Sequence, residues 1–342
     1  MLRFAKPFLA CLILASAAWP ARDPASVNVR RFGAGSGRDD TQAIQRALNY
    51  ACSLPQGREL YFPPGTYNTK STVEIPCGYI TLSSNAAAWN FEGSGPALVI
   101  RRPAVLVRLV NLKIRGISAR GGFGLQILGT KLPGSEGPVG VTKLIVDACE
   151  FTGFGDAEGG AAIDIESDTP GGSIRDCVFN NPGTAINVNG PTDTLIIHDN
   201  YIVSSAGWGV KIANGLGAGA VHIEHNNFTT AGGAIRLERA GMVTIRGNEY
   251  ETYHFAKAAH SAPFDLISAQ RILFEDNTVN PHDGSDYCVW VGDAVTDSVF
   301  EKNALSNCGQ SGFRLGSGAR NSYRLNTGAN IGPDISGAKD RG

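Results

Sequence analysis

A right-handed parallel β-helix, a solenoid of about 9–11 coils closed by an N-terminal helix, is the fold this sequence predicts. Three observations carry it. One register recurs across residues 144–326, at Cys149, Cys177, Asn200, Asn226, Asn248, Asn277, Asn303 and Asn326, at spacings of 22 to 29 residues. An apolar residue stands three positions before each: Val146, Ile174, Ile197, Ile223, Ile245, Phe274, Phe300 and Tyr323. Another follows two positions after most, from Phe151 and Phe179 to Leu305. Between these runs lie polar, glycine-rich gaps and short alternating strands such as Ala161-Ala-Ile-Asp-Ile-Glu166, in a chain with 43 glycines.

Repeats of this length are solenoids, and the period selects the kind. Helical repeats need longer apolar runs at a 3.6 period, whereas these runs are short and alternate at period two. The leucine-rich pattern is absent. A recurring Asn suits the corner between strands, because it tolerates the left-handed conformation and its amide can bond to the same residue one coil away. An ordinary β-sandwich has no need of one polar residue type at one corner in coil after coil.

Taken in order, residues 1–18 read as a secretory signal peptide. Arg3 and Lys6 form its basic start, Phe8 to Ala18 its apolar run, and Ser16-Ala17-Ala18 its small-residue cleavage region near Ala18. The run is too short to span a membrane, and nothing later in the chain is apolar enough to do so. The expected address is periplasmic or extracellular. Residues 19–342 then form one β-helix domain: a cap helix over 39–53, irregular first coils over 55–140, regular coils over 141–330 and a tail over 331–342. Asp39 or Asp40 is placed to N-cap the helix, whose Ile44 and Leu48 face the first coil. Pro63-Pro64-Gly65 is a turn into a strand, and residues 129–140 leave the solenoid as a loop.

Three segments carry a resemblance: Val27-Asn-Val-Arg-Arg-Phe-Gly-Ala34, Asp39-Asp40-Thr41-Gln-Ala-Ile-Gln-Arg-Ala-Leu48 and Leu60-Tyr-Phe-Pro-Pro-Gly-Thr-Tyr67. Together they resemble the opening of pectate-lyase-superfamily β-helix proteins, which include polygalacturonase-like and rhamnogalacturonase-like hydrolases, polysaccharide lyases, uronate epimerases and phage tail-spike depolymerases. The resemblance implies a polysaccharide partner and leaves the reaction open. It requires no cofactor. A calcium ion, used by some β-helix lyases, is compatible with the scattered Asp residues, and both monomer and trimer are compatible with the family.

The formal net charge is −1, and loss of the leader leaves 28 basic against 31 acidic residues. General nucleic-acid binding needs a basic surface and is not expected. Without Cys11, six cysteines remain for an oxidising compartment. Cys149 and Cys177 share one corner in successive coils, about 4.8 Å apart, and are expected to bridge. Cys288–Cys308 is a plausible second bridge. Cys52–Cys77 would tie the cap helix to the first strands.

Function must lie on outward-facing residues, since interior positions carry packing. Alternation places Ile163, Ile165, Ile186, Val188, Val210, Ile212, Ile235, Leu237, Val289, Val291, Phe313 and Leu315 inside. The outward column between them reads Gln126, Asp164, Asn187, Lys211, Arg236, an unclear coil near Asp265, Trp290 and Arg314. A second column reads Glu166, Asn189, Ala213, Glu238, Gly292 and Gly316. Lys211 and Arg236 in neighbouring coils stack like charges, which costs stability unless something anionic lies there. A guanidinium beside an amine also favours the neutral amine. Such an amine could take the proton next to a uronate carboxylate while the arginine holds that carboxylate.

The preferred expectation is therefore β-elimination on a uronate-containing polymer. Lys211 serves as base and Arg236 as neutraliser, Glu238 lies beside them, and Asn187, Trp208, His254, Trp290 and Arg314 are substrate contacts. Three alternatives stay open. Asp164 and Glu166, two residues apart on one strand face, could act as the carboxyl pair of an inverting hydrolase. The polygalacturonase signature of Asn-Thr-Asp, Asp-Asp, Gly-His-Gly and Arg-Ile-Lys is absent, however. A non-catalytic binding or structural β-helix would use the same stripe. Asn280-Pro281-His282-Asp283 is similar to the Asp-Pro-His-Asp segment of mannuronan C-5 epimerases, with Asn for the first acid and a position in a gap rather than a strand. The long gap from Glu249 to Pro263, with Tyr253, His254, Phe255, Lys257 and His260, is placed to wall the groove.

Overall fold

Inward-pointing apolar residues at period two demand a partner layer, and stacking coil on coil supplies it. The computed structural model describes residues 26–55, 58–117, 122–135, 137–156, 159–181, 183–204, 207–213, 219–252, 262–282 and 285–328. The leader, the tail over 331–342, and Tyr253, His254, Phe255, Lys257, His260 and Asp283 lie outside the described residues. Three parallel sheets run along the rod. The first has twelve strands, from Ser26–Asn28 to Ser322–Arg324. The second has ten, from Gly65–Thr69 to Ala304–Leu305, and the third ten, from Val73–Glu74 to Ser311–Arg314. The chain visits the sheets in turn, so strands adjacent in a sheet are one coil apart in sequence. The opening coils run in these same sheets: Ala104–Val110 pairs in register with Val141–Asp147. The loop over 129–140 is a small antiparallel hairpin, Thr130–Lys131 with Pro138–Val139.

The helix Thr41–Ser53 covers the N-terminal end, burying Ile44, Ala47, Leu48 and Ala51 against strands Ser26–Asn28 and Arg58–Phe62. The two acids before it divide the work. Asp39 accepts from the Thr41 amide at 3.0 Å and from its hydroxyl at 2.5 Å, satisfying an orphan donor of the first turn. Asp40 instead ties the entry loop to the first coil, accepting from the Gly35 amide at 2.9 Å and the Asn68 amide at 3.0 Å. The Cys52–Cys77 disulfide fastens the end of the helix, and Cys288–Cys308 forms as well.

The interior is a set of stacked rows. Phe151 lies on Phe179 with ring centroids 5.5 Å apart, and Phe300 on Tyr323 at 4.8 Å. The corner asparagines are buried too. Asn226 accepts from the Asn200 backbone and side-chain amides at 3.1 and 2.9 Å, and Asn248, Asn277, Asn303 and Asn326 continue the ladder. The left-handed residue at this corner is not the asparagine but its predecessor: Asp199, His225, Gly247, Asp276, Lys302 and Leu325 all have φ between 53° and 62°. The asparagine keeps an ordinary backbone and uses its side chain for the ladder.

Two further expectations are corrected. Cys149 and Cys177 remain free, buried thiols. They occupy the first rungs of the ladder, and the Cys177 sulfur accepts from the Cys149 amide at 3.4 Å, where an asparagine oxygen would sit. Parallel side chains in register keep about a full coil spacing, wider than the usual Cβ separation of a disulfide. Leu315, expected inside, is 41% exposed, whereas the other eleven alternation-assigned residues are buried. The last strand of the third sheet ends at Arg314, so alternation no longer governs the next residue.

Candidate active site

From Gln126 to Trp290 each outward residue of the row is held between two buried ones, so its direction is set by the core beneath it. Pairing is continuous along the whole row: Gln126 with Asp164, Asp164 with Asn187, Asn187 with Lys211, and Lys211 with Arg236. It continues from Arg236 to Asp265, Trp290 and Arg314. The coil that was unclear in sequence is thus filled by Asp265. Its signature was present, since Phe264-Asp265-Leu266 repeats the apolar–charged–apolar order of Ile235-Arg236-Leu237.

The row divides by chemistry. At its amide end, Gln126 Nε2 donates to Asp164 Oδ2 at 2.9 Å and Asn187 Nδ2 to Asp164 Oδ1 at 2.7 Å. Asp164 is only 1% exposed although it points outward. Burial pushes its carboxyl up to about 6; the two amides pull it back down and neighbouring Glu166 raises it further. Glu166 is capped in parallel by Asn189 Nδ2 at 2.7 Å.

At the middle, Arg236 Nε donates to Glu238 Oε1 at 2.5 Å and Nη1 to Asp265 Oδ2 at 3.2 Å. Lys211 Nζ stands 3.8 Å from Glu238 Oε2, outside hydrogen-bond distance. Burial pushes Glu238 up, but the Arg236 hydrogen bond and the charges of Arg236, Lys211 and Arg239 outweigh it and leave its carboxyl below the usual range. Asp265 goes the other way: burial raises it, and the Arg236 charge offsets only part of that. Glu238 holds the closer bond to Arg236. The repulsion between stacked cations is therefore relieved by Glu238 and Asp265, not by Asp164. A bulge after Leu237 breaks the second column, setting Glu238 opposite Ser268.

Trp208 is not the open platform expected from its position. It is 5% exposed, its ring fills the space above Gly233, and the Arg236 guanidinium lies 5.6 Å from its centroid. It buttresses Arg236. Trp290 carries the Arg314 guanidinium on its face at 4.0 Å and Tyr287 against its edge at 5.6 Å. Gly292 and Gly316 leave the second column bare there, and a side chain on either would collide with the neighbouring backbone at 2.2 and 2.4 Å.

Other expectations fall elsewhere. Asn280 and Pro281 lie within a strand, Thr278–Pro281, of the second sheet, not in a gap and not on this row. There His282 Nε2 meets Glu251 Oε1 at 2.8 Å. His254 lies outside the described residues. Among the described residues no three His, Cys, Asp or Glu side chains converge to hold a metal ion, and no helix is long and apolar enough to cross a membrane. A depression of about 470 Å³ at the corner of the first and second sheets, lined by Asn111, Lys113, Cys149 and Glu150, contains none of the row.

Family models match two parts of the chain: rhamnogalacturonase A/epimerase, pectate lyase-like, over residues 26–89, and right-handed beta helix region over residues 107–252. The chain has a pectate-lyase-like opening and a right-handed β-helix body. Solved structures share the fold at low identity. PfbA, a surface adhesin of Streptococcus pneumoniae, aligns with TM-score 0.58 at 15% identity, over 90% of this chain and 91% of that one. The A-module of a mannuronan C-5 epimerase from Azotobacter vinelandii aligns with TM-score 0.57 at 17% identity, over 91% and 100%. An exopolygalacturonase from Thermotoga maritima aligns with TM-score 0.54 at 12% identity, over 88% and 91%. No curated protein sequence matches the chain.

Proposed function

We propose that this protein is an exported lyase that cleaves an acidic, uronate-containing polysaccharide by β-elimination on the outward row of the third sheet. The observation that carries the reading is the in-register pair Lys211 and Arg236. Lys211 places an amine in the row that is part-exposed and beyond hydrogen-bond distance of its nearest carboxylate, Glu238. Its neutral form takes the proton at C5 of the uronate. The electron pair forms the C4–C5 double bond, the C4–O bond breaks, and the departing oxygen takes a proton from the lysine ammonium or from water. Among the described residues, the two bonds of Arg236 to acids use Nε and Nη1, so Nη2 is the edge offered to the uronate carboxylate. That edge stabilises the enolate-like charge as it develops. Arg314 and Asn187 give neighbouring contacts. The two disulfides suit an oxidising compartment.

A second reading has its own support. The raised carboxyl of Asp164, about 6, is what a general acid needs, with Glu166 two residues along to activate water. Its burial and the two amides on its oxygens count against it. One assay separates these readings and the binding-only alternative. On a panel of acidic and neutral polysaccharides, elimination gives unsaturated ends that absorb ultraviolet light. Hydrolysis gives reducing ends without that absorbance, and a binder gives neither. Reducing ends alone would overturn the lyase reading.

A further inference from the structure

The lyase reading leaves one buried acid without a task. Asp164 points outward, is covered almost completely, and has an amide on each side: Gln126 from the coil before and Asn187 from the coil after. An ionised carboxylate only accepts hydrogen bonds, so both amides must turn their NH₂ groups toward it. For Asn187 the consequence is directional. Its Nδ2 faces back to Asp164, which leaves its Oδ1 facing forward along the row, toward the coil of Lys211, its register partner. Glu166 does the same to Asn189 one column over.

We propose that Asp164 is a positioning residue: its carboxylate locks the Asn187 amide so that Oδ1 is presented beside Lys211 as an acceptor for a sugar hydroxyl. This rests on the site assigned in the preceding subsection. Protonation of Asp164 turns one acceptor oxygen into a donor, so the amide can flip and the acceptor beside Lys211 is lost. The charged group beside Asp164 is Glu166 on its own strand; Gln126 and Asn187 in the adjacent coils are neutral, and Lys211 stands two rungs along the row.

Asp164→Asn keeps the shape but leaves one acceptor oxygen for the two amide donors, so the Asn187 amide is no longer held in a single orientation. In elimination assays it should raise KM about tenfold at pH 7.5, the scale of one hydrogen bond, and change kcat little. Lowering the pH from 7.5 to 4.5 should raise KM of the unsubstituted protein by a similar factor, while KM of the variant stays flat. Asn187→Ala should raise KM equally, and the double variant should be no worse than either single one. Unchanged KM, or single effects that multiply, would overturn the proposal, as would an Asp164→Asn variant that loses kcat at every pH. A readout independent of turnover is the NMR signal of the Asn187 side-chain amide. It should titrate with a midpoint near pH 6 in the unsubstituted protein and not in Asp164→Asn. If no polysaccharide is cleaved but that titration is seen, the lock stands and the lyase reading falls; if the amide does not titrate, the lock itself is refuted.

Discussion

Two rows of stacked side chains run along this rod, and they differ in one respect. The corner ladder from Asn200 to Asn326 is buried and repeats one residue, each rung bonded to the next at 2.8 to 3.1 Å. The outward row from Gln126 to Arg314 has equally strict register, yet its chemistry changes at every coil. Uniformity in the first row serves a stacking problem that is identical in each coil. Variety in the second has no such explanation, because a solvated strand face does not need a lysine over an arginine over an aspartate. In a solenoid, the row that stops repeating is where function should be sought.

Substitutions in the two rows should part company. The largest effect expected is that of Lys211→Ala, which should slow elimination by about 10²–10⁴-fold, the range for loss of a general base, with the circular dichroism spectrum and melting temperature unchanged. An intact rate would remove the mechanism. Next comes the ladder. Asn248→Ala removes an acceptor for Asn226 and a donor to Asn277 and the Ile223 carbonyl, leaving buried groups unpaired. It should cost about 3 kcal/mol in urea unfolding, with residual activity per folded molecule preserved.

Asp164→Asn should do the opposite. The folded carboxyl is raised to about 6, above the ordinary value of about 3.9, so the native state binds the proton more tightly than the unfolded chain. Stability falls as pH rises through that window, and the full penalty is present above it. The variant should therefore be more stable by about 2 kcal/mol at pH 7.5 and close to equal at pH 3.5, as read from melting temperatures at both values. Smallest of all, Cys177→Asn extends the ladder by one rung and should change stability by less than about 1 kcal/mol. In the unsubstituted protein, Cys149 and Cys177 should be alkylated only after unfolding, as counted by mass.

Much of this was legible before any coordinates. The register points and the outward row follow from period-two alternation and stacking, which are local rules repeated; Cys52–Cys77 and Cys288–Cys308 form as expected, whereas the one pair argued from stacking does not. What escaped depended on geometry that spacing does not encode. Cys149 and Cys177 have the right separation along the rod but parallel side chains. The asparagine was read as the left-handed residue because it is the polar one, whereas the turn belongs to the residue before it. Trp208 looked like a platform because nothing in sequence shows that Gly233 lies beneath its ring and Arg236 beside it. Asp265 was blurred by the long gap ahead of it, and Asp164 was read as solvent-facing because alternation reports direction and not cover.

The spacing between rungs also has a consequence for how such a protein can change. Rungs are 22 to 29 residues apart, yet the bond between them hardly varies, so the extra length is absorbed where it does not disturb the stack. Much of it lies between the second and third sheets: Asn227–Phe228 is followed soon by Ile235–Gly241, whereas Glu249–Thr252 is separated from Phe264–Gln270 by a longer stretch. That is the flank of the outward row. Segments there can be lengthened, shortened or exchanged while the side chains of the row keep their places on an unaltered frame.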